Sequence, residues 1–289
     1  MKSSYLTNLV LLIIVISLLW LSQREKPASE QSPTLSTLKA EAVYQIQIQR
    51  QNKPIITLQQ GQDSWALTEP FHARANQTRI NLLLSLLSAP LHGEFQPLDE
   101  ASLQPFGLGE PDVVLSMNDQ QFAFGGVESL SQQRYVLHQG MIYLVQDDVT
   151  PLLTASAGSF VDNRLIAENN AISRLTIPAG PDTADSMTLE QENGHWQSGD
   201  ASLSSDELKT LVDNWQHAYA MQVRYLQAEQ LSALPAPNVS VWLDAHPEPL
   251  QLILHQSEQT LHLVNPEQQL QYDFPLSLQT QLLPRTQAD

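Results

Sequence analysis

The chain has 289 residues and a formal charge of −17, from 14 Lys and Arg against 31 Asp and Glu. With no basic excess to release counterions from phosphates, it is not a general nucleic-acid binder. The absence of cysteine excludes disulfides, thiolate metal sites and a Cys nucleophile.

Charged residues make up only 16%, and 33 glutamines fill much of that gap. The length suits about two domains. In chain order, the first feature is an apolar run from Tyr5 to Leu21, broken only by Thr7, Asn8 and Ser17. As a helix it would extend about 26 Å, slightly less than a hydrocarbon core of about 30 Å. Tyr5 and Trp20 stand at its ends, where aromatic rings suit the membrane interface. A cleaved signal peptide would need small residues after the run, and Leu21-Ser22-Gln23-Arg24 offers no such pair. Residues 1–22 are therefore expected to be an uncleaved transmembrane anchor. Its N-terminus is expected in the cytoplasm and the bulk of the chain outside. The Pro-, Ser- and Gln-containing stretch 23–41 reads as a linker.

The remainder reads as a duplication, with units at 42–168 and 169–289. Asn76, Ile80, Leu83, Leu84 and Leu87 recur as Ser204, Leu208, Leu211, Val212 and Trp215, each 128 residues later. Each set is an N-cap followed by one apolar helix stripe. Ser204 with Glu207 fits a capping box. Pro90 is expected to stop the first helix, and the second is expected to end near Ala220. Tyr44, Ile46 and Ile48 alternate with Gln45, Gln47 and Gln49, which is the pattern of a half-buried strand. Trp65 pairs with Trp196, Leu98 and Leu103 with Leu226 and Leu231, Phe122 and Phe124 with Leu250 and Leu252, and Tyr143 with Tyr272. Each unit is expected to be two strands, a helix, a loop and three or four strands. The fold class is α+β, with an antiparallel sheet and one packed helix per unit. The stretch VDNRLIAENNA near Asp162 to Ala171 would join the units.

Chemistry is sparse in the sequence. There is no G-x-S-x-G elbow, Walker loop or G-x-G-x-x-G. Gly125-Gly126 reads as a turn. The eight histidines form no short ligand pair, although His255 and His262 could face each other across a hairpin. Asp147-Asp148 reads as a turn, and Asp206-Glu207 as the acidic first turn of a helix. Trp65 and Trp196 read as core anchors, and Arg164 as part of a solvated linker or a buried ion-pair hinge. No catalytic, cofactor-binding or metal-binding residue is singled out.

The segments GQDSWALTEPFHARANQTRINLLLSLL, LQPFGLGEPDVVLSM, RYVLHQGMIYLV and FVDNRLI resemble a bacterial family of membrane-anchored envelope proteins with a domain of unknown function. Phe106-Gly107-Leu108-Gly109-Glu110-Pro111 follows its Gly-Leu-x-x-Pro loop, mainly within 42–168; the second half lacks the Gly-Leu pair. Family members are often encoded beside ABC-type, gliding-motility-like transporter subunits. The resemblance implies a non-enzymatic, single-pass accessory or scaffold subunit of a membrane complex, in the bacterial inner membrane with its bulk in the periplasm. Its partners would be envelope proteins and the membrane. The alternative is a periplasmic module that binds a peptide or glycan in the groove between the units. A hydrolase is a third reading, which would require histidine and acids from distant segments to converge.

Overall fold

The computed structural model describes residues 14, 15, 17, 33–179, 185–199, 203–244 and 247–284. The expected anchor lies outside them apart from Ile14, Val15 and Ser17, which are helical. Among the described residues no helix is long and apolar enough to cross a membrane.

The first half forms β1 (Gln45–Arg50), β2 (Ile56–Gln60), β3 (Trp65–Glu69) and β4 (Ala73–Arg74). Helix α1 (Gln77–Ser85) follows, and then β5 (Gly93–Phe95), β6 (Val113–Met117), β7 (Gln120–Val127), β8 (Arg134–His138) and β9 (Met141–Val145). The second half forms β10 (Ile172–Pro178), β11 (Ser186–Glu192), β12 (His195–Ser198), α2 (Ser205–Gln216) and β13 (Gln222–Tyr225). It ends with β14 (Val239–Leu243), β15 (Leu250–Gln256), β16 (Thr260–Asn265) and β17 (Leu270–Pro275).

Two antiparallel sheets result. One runs β4-β3-β2-β1-β6-β7-β8-β9-β5, the other β12-β11-β10-β14-β15-β16-β17-β13. Apart from the extra β4, the order of the second repeats the first. Three or four strands precede each helix, rather than the two expected. The tryptophans sit at matching points: Trp65 opposes Gln60, and Trp196 opposes Gln191. Both are buried, because their strands turn that face to the core. One continuous set of buried apolar side chains runs through both halves.

The helices form where their caps place them. The Asn76 side chain accepts from the Arg79 amide, and Ser204 and Glu207 form a reciprocal capping box. In α2 all four stripe residues, Leu208, Leu211, Val212 and Trp215, are buried. The Trp215 indole donates to the Leu282 carbonyl at 2.7 Å, which satisfies its one polar atom. In α1 Ile80 and Leu83 are buried, but Leu84 is only half-buried. Helix α1 stops at Ser85 and tightens into a 3-10 turn over Leu86–Ser88, ahead of Pro90. Helix α2 ends at Gln216, four residues before the expected Ala220.

Three local expectations change. Ile46 and Ile48 are fully buried as the alternation requires, but Tyr44 lies before β1 and is exposed. Residues 33–41 do not hang free as the linker composition suggests. The Leu35 side chain is buried, its amide donates to the Ala89 carbonyl, and the Ser36 amide donates to the Leu87 carbonyl. Gly125-Gly126 lies inside β7 rather than in a turn. A Cβ on Gly125 would stand 2.3 Å from the Phe106 carbonyl oxygen. The bare glycine is therefore the bed on which the loop carrying Phe106 and Leu108 lies across the outer face of the first sheet. Gly107, at φ 68°, ends the 3-10 turn Glu100–Phe106 in the left-handed conformation that favours glycine.

Candidate functional site

The segment Val161-Asp162-Asn163-Arg164-Leu165 is where the two halves meet. The Asp162 amide donates to the Arg74 carbonyl, and Ala75 pairs with Val161. On the other side, the Leu165 amide donates to the Ala218 carbonyl and the Ala220 amide to the Asn163 carbonyl. The Asn163 side chain spans both flanks: it accepts from Asn76 Nδ2 at 3.2 Å and donates to the Ala220 carbonyl at 2.8 Å. The residue that caps α1 is thereby tied to the chain leaving α2. The Arg74 guanidinium donates to the Arg164 carbonyl at 2.6 Å and lies 3.4 Å from the Asp162 carboxylate. Arg164 pairs with Glu168, which holds its guanidinium pKa above the usual value. Arg164 is neither fully solvated nor a buried hinge: its side chain is half-exposed while its backbone is committed.

Two clefts open beside this junction, and Arg74 lines both. One, of about 210 Å³, is bordered by Trp65, Asp162, Arg164 and Tyr219. The other, of about 420 Å³, is bordered by Ile166, Glu248, Asn265 and Tyr272. Burial pushes the Tyr272 phenol pKa up, and neighbouring Arg74 opposes that only in part. Tyr272 therefore remains a neutral hydroxyl, which together with the Arg74 fork can hydrogen-bond a polar ligand.

A second polar cluster sits in the second sheet. His255 opposes His262 across the hairpin, with ring centroids 4.7 Å apart. His262 Nδ1 lies 2.7 Å from Asp273 Oδ1, and its Nε2 lies 3.2 Å from Ser257 Oγ. Asp273 also accepts from Gln271 at 2.7 Å and pairs with Arg224 at 2.8 Å. His255 keeps a buried Nε2 with no hydrogen-bond partner. Burial, and then the adjacent His262, push its pKa down, so it stays neutral.

Histidine and acid meet here, but from neighbouring strands eleven residues apart rather than from the distant segments that the hydrolase reading requires. The order Ser257–His262–Asp273 is that of a nucleophile, base and orienting acid. Yet the Ser257 hydroxyl also donates to the Thr260 carbonyl within its own hairpin, and Asp273 is divided among three partners. Apart from the unpartnered His255 Nε2, the polar groups of the cluster are taken up by one another. Sequence reasoning reached the His255–His262 pair but not Asp273, Gln271 or Arg224. Only the pairing of β16 with β17, and of β17 with β13, brings those together.

Asp147, and Asp206 with Glu207, take structural places. Asp147 pairs with Arg134 at 2.6 Å and accepts from the Thr150 amide. Asp206 and Glu207 lie in the first turn of α2. Among the described residues no group of three or more His, Cys, Asp or Glu could hold a metal.

These features define a class: an α+β body of two antiparallel sheets with matching strand order, closed at a hydrogen-bonded junction. The chain belongs to the family described as a domain of unknown function, DUF4340, whose match covers residues 65–251. The match starts at Trp65, crosses the junction and runs into β15, so it embraces both halves and is not confined mainly to the first. No curated protein and no solved structure matches the chain.

Proposed function

We propose that the protein is an accessory or scaffold subunit of a membrane complex in the bacterial envelope, of the ABC-type transporter class, without catalysis of its own. In this reading the apolar run Tyr5–Leu21 anchors it in the inner membrane, with the two-sheet body in the periplasm. One observation carries the reading. At the junction Asn163, Asp162 and one guanidinium nitrogen of Arg74 are spent on the chain's own groups, which suits a rigid body that presents surfaces. The family resemblance supplies the transporter context.

The test is purification of tagged full-length protein from native membranes, followed by mass spectrometry. Transporter subunits should be recovered in stoichiometric amounts. Recovery of the protein alone would overturn the scaffold reading in favour of the second one, a binding module. That second reading draws on the cleft of about 420 Å³ lined by Arg74 and Tyr272, whose hydrogen-bonding groups suit a peptide or glycan.

A further inference from the structure

The outer face of the first sheet is left partly bare. Phe95 on β5, Phe106 in the overlying loop and Tyr135 on β8 form one aromatic cluster, with centroids 4.9 to 6.4 Å apart. Phe95 is 41% exposed, and Leu98, three residues on, is 95% exposed. The second half shows how such a face can be closed. Leu226, the counterpart of Leu98 at an offset of 128, is 7% exposed and packs with Ile253 and Val264 beneath Leu231 and Leu234. In the first half nothing among the described residues does this for Leu98. A fully exposed leucine beside an aromatic cluster is the make-up of an interface centre.

The surrounding charge says what fits. Between Arg79 and Arg134 the sequence has seven Asp and Glu and no Lys or Arg. Asp99 and Glu100 follow Leu98 and are exposed. Arg134, next to Tyr135 in the chain, is occupied by Asp147. An anionic lipid surface and a second copy of this acidic chain would both be repelled. We infer that the outer face around Phe95, Leu98, Phe106 and Tyr135 docks a protein segment that presents an apolar anchor flanked by Lys or Arg. The inference rests on the scaffold reading and names its contact surface.

The test is photo-crosslinking in native membranes, with p-benzoylphenylalanine placed in the full-length chain at Leu98 or, as a control, at exposed Met221. Position 98 should give an adduct with a different protein, at a peptide bearing adjacent Lys or Arg, several-fold stronger than any from 221. Glu100→Lys should reduce that adduct by about fivefold, and the neutral Glu100→Gln by about twofold, as expected for a charge at an interface rim. An adduct only with a second copy or with lipid would overturn the inference, as would one indifferent to this charge. No adduct at 98, while the wild type still co-purifies with its complex, would overturn this surface and spare the scaffold reading. Loss of both adduct and co-purification would overturn both.

Discussion

The outer faces of the two sheets occupy equivalent places and differ in chemistry along part of their length. In the first sheet Tyr135 opposes Leu144, which opposes Gly93, and one step along the strands Leu137 opposes Ile142, which opposes Phe95. In the second sheet the same places hold His262, Asp273 and Gln222, and then Val264, Gln271 and Arg224. The aromatic face is covered by a loop that needs bare glycine beneath it. In the polar face, Asp273 is bonded by His262, Gln271 and Arg224. Shared strand order therefore fixes which positions face outward, not what they must be. An outward row tolerates either apolar packing or a hydrogen-bond network, since both keep buried unpaired groups few; His255 Nε2 is the exception in the polar row.

The comparison can be broken most forcefully at Gly125. Gly125→Val should destabilise the body by about 3 kcal/mol, because the new Cβ meets backbone at 2.3 Å rather than a movable side-chain end. Chemical denaturation would measure it. Ile253 holds the matching place in the second sheet, and Ile253→Val should cost only about 1 kcal/mol. Equal losses at the two sites would contradict the glycine bed.

Asp273→Ala should cost about 3 kcal/mol at neutral pH by stranding His262 and Gln271, the lower end of the range for a broken buried pair because Arg224 can turn to water. A thermal melt unchanged within error would mean the network is idle.

His255 sharpens the comparison through pH. Its folded-state pKa lies below the usual value, so the unfolded chain binds the proton more readily. Its contribution to stability is present above the ordinary histidine pKa and declines as pH falls below it. The melting temperature of wild type should therefore drop further between pH 7.5 and pH 5.5 than that of His255→Gln; identical slopes would remove His255 from the account. Smallest of all, Leu98→Ser should change stability by less than about 0.5 kcal/mol, because the side chain is 95% exposed. A larger loss would mean that Leu98 packs against this chain rather than awaiting a partner.

Much of the fold was legible in the sequence, for local reasons. The two N-caps and the stripes behind them announce α1 and α2, because capping and amphipathic spacing act within a few residues. The alternation of Ile46 and Ile48 with glutamine announces β1 for the same reason. The polar face was not legible. His262 and Asp273 are eleven residues apart on neighbouring strands, and nothing local states that they pair. The match of Leu98 with Leu226 held in position and failed in burial, because coverage depends on the next stretch of chain. That stretch is an α-helical turn over Ala228–Ser232 in one half and, in the other, the 3-10 turn Glu100–Phe106 leading into the glycine-bedded loop. Residues 33–36 read as linker because Pro, Thr and Ser also suit a segment pinned through backbone hydrogen bonds.

That pinning has a consequence for reach. The Leu91 amide donates to the Pro33 carbonyl, four residues before Phe95. If Tyr5–Leu21 lies in a bilayer, only the eleven residues 22–32 separate it from the pinned point, a leash of about 40 Å at full stretch. The aromatic face would then lie within that reach of the membrane. A target held within the same reach would meet it at high effective concentration, so a contact too weak to survive in dilute solution could stay occupied.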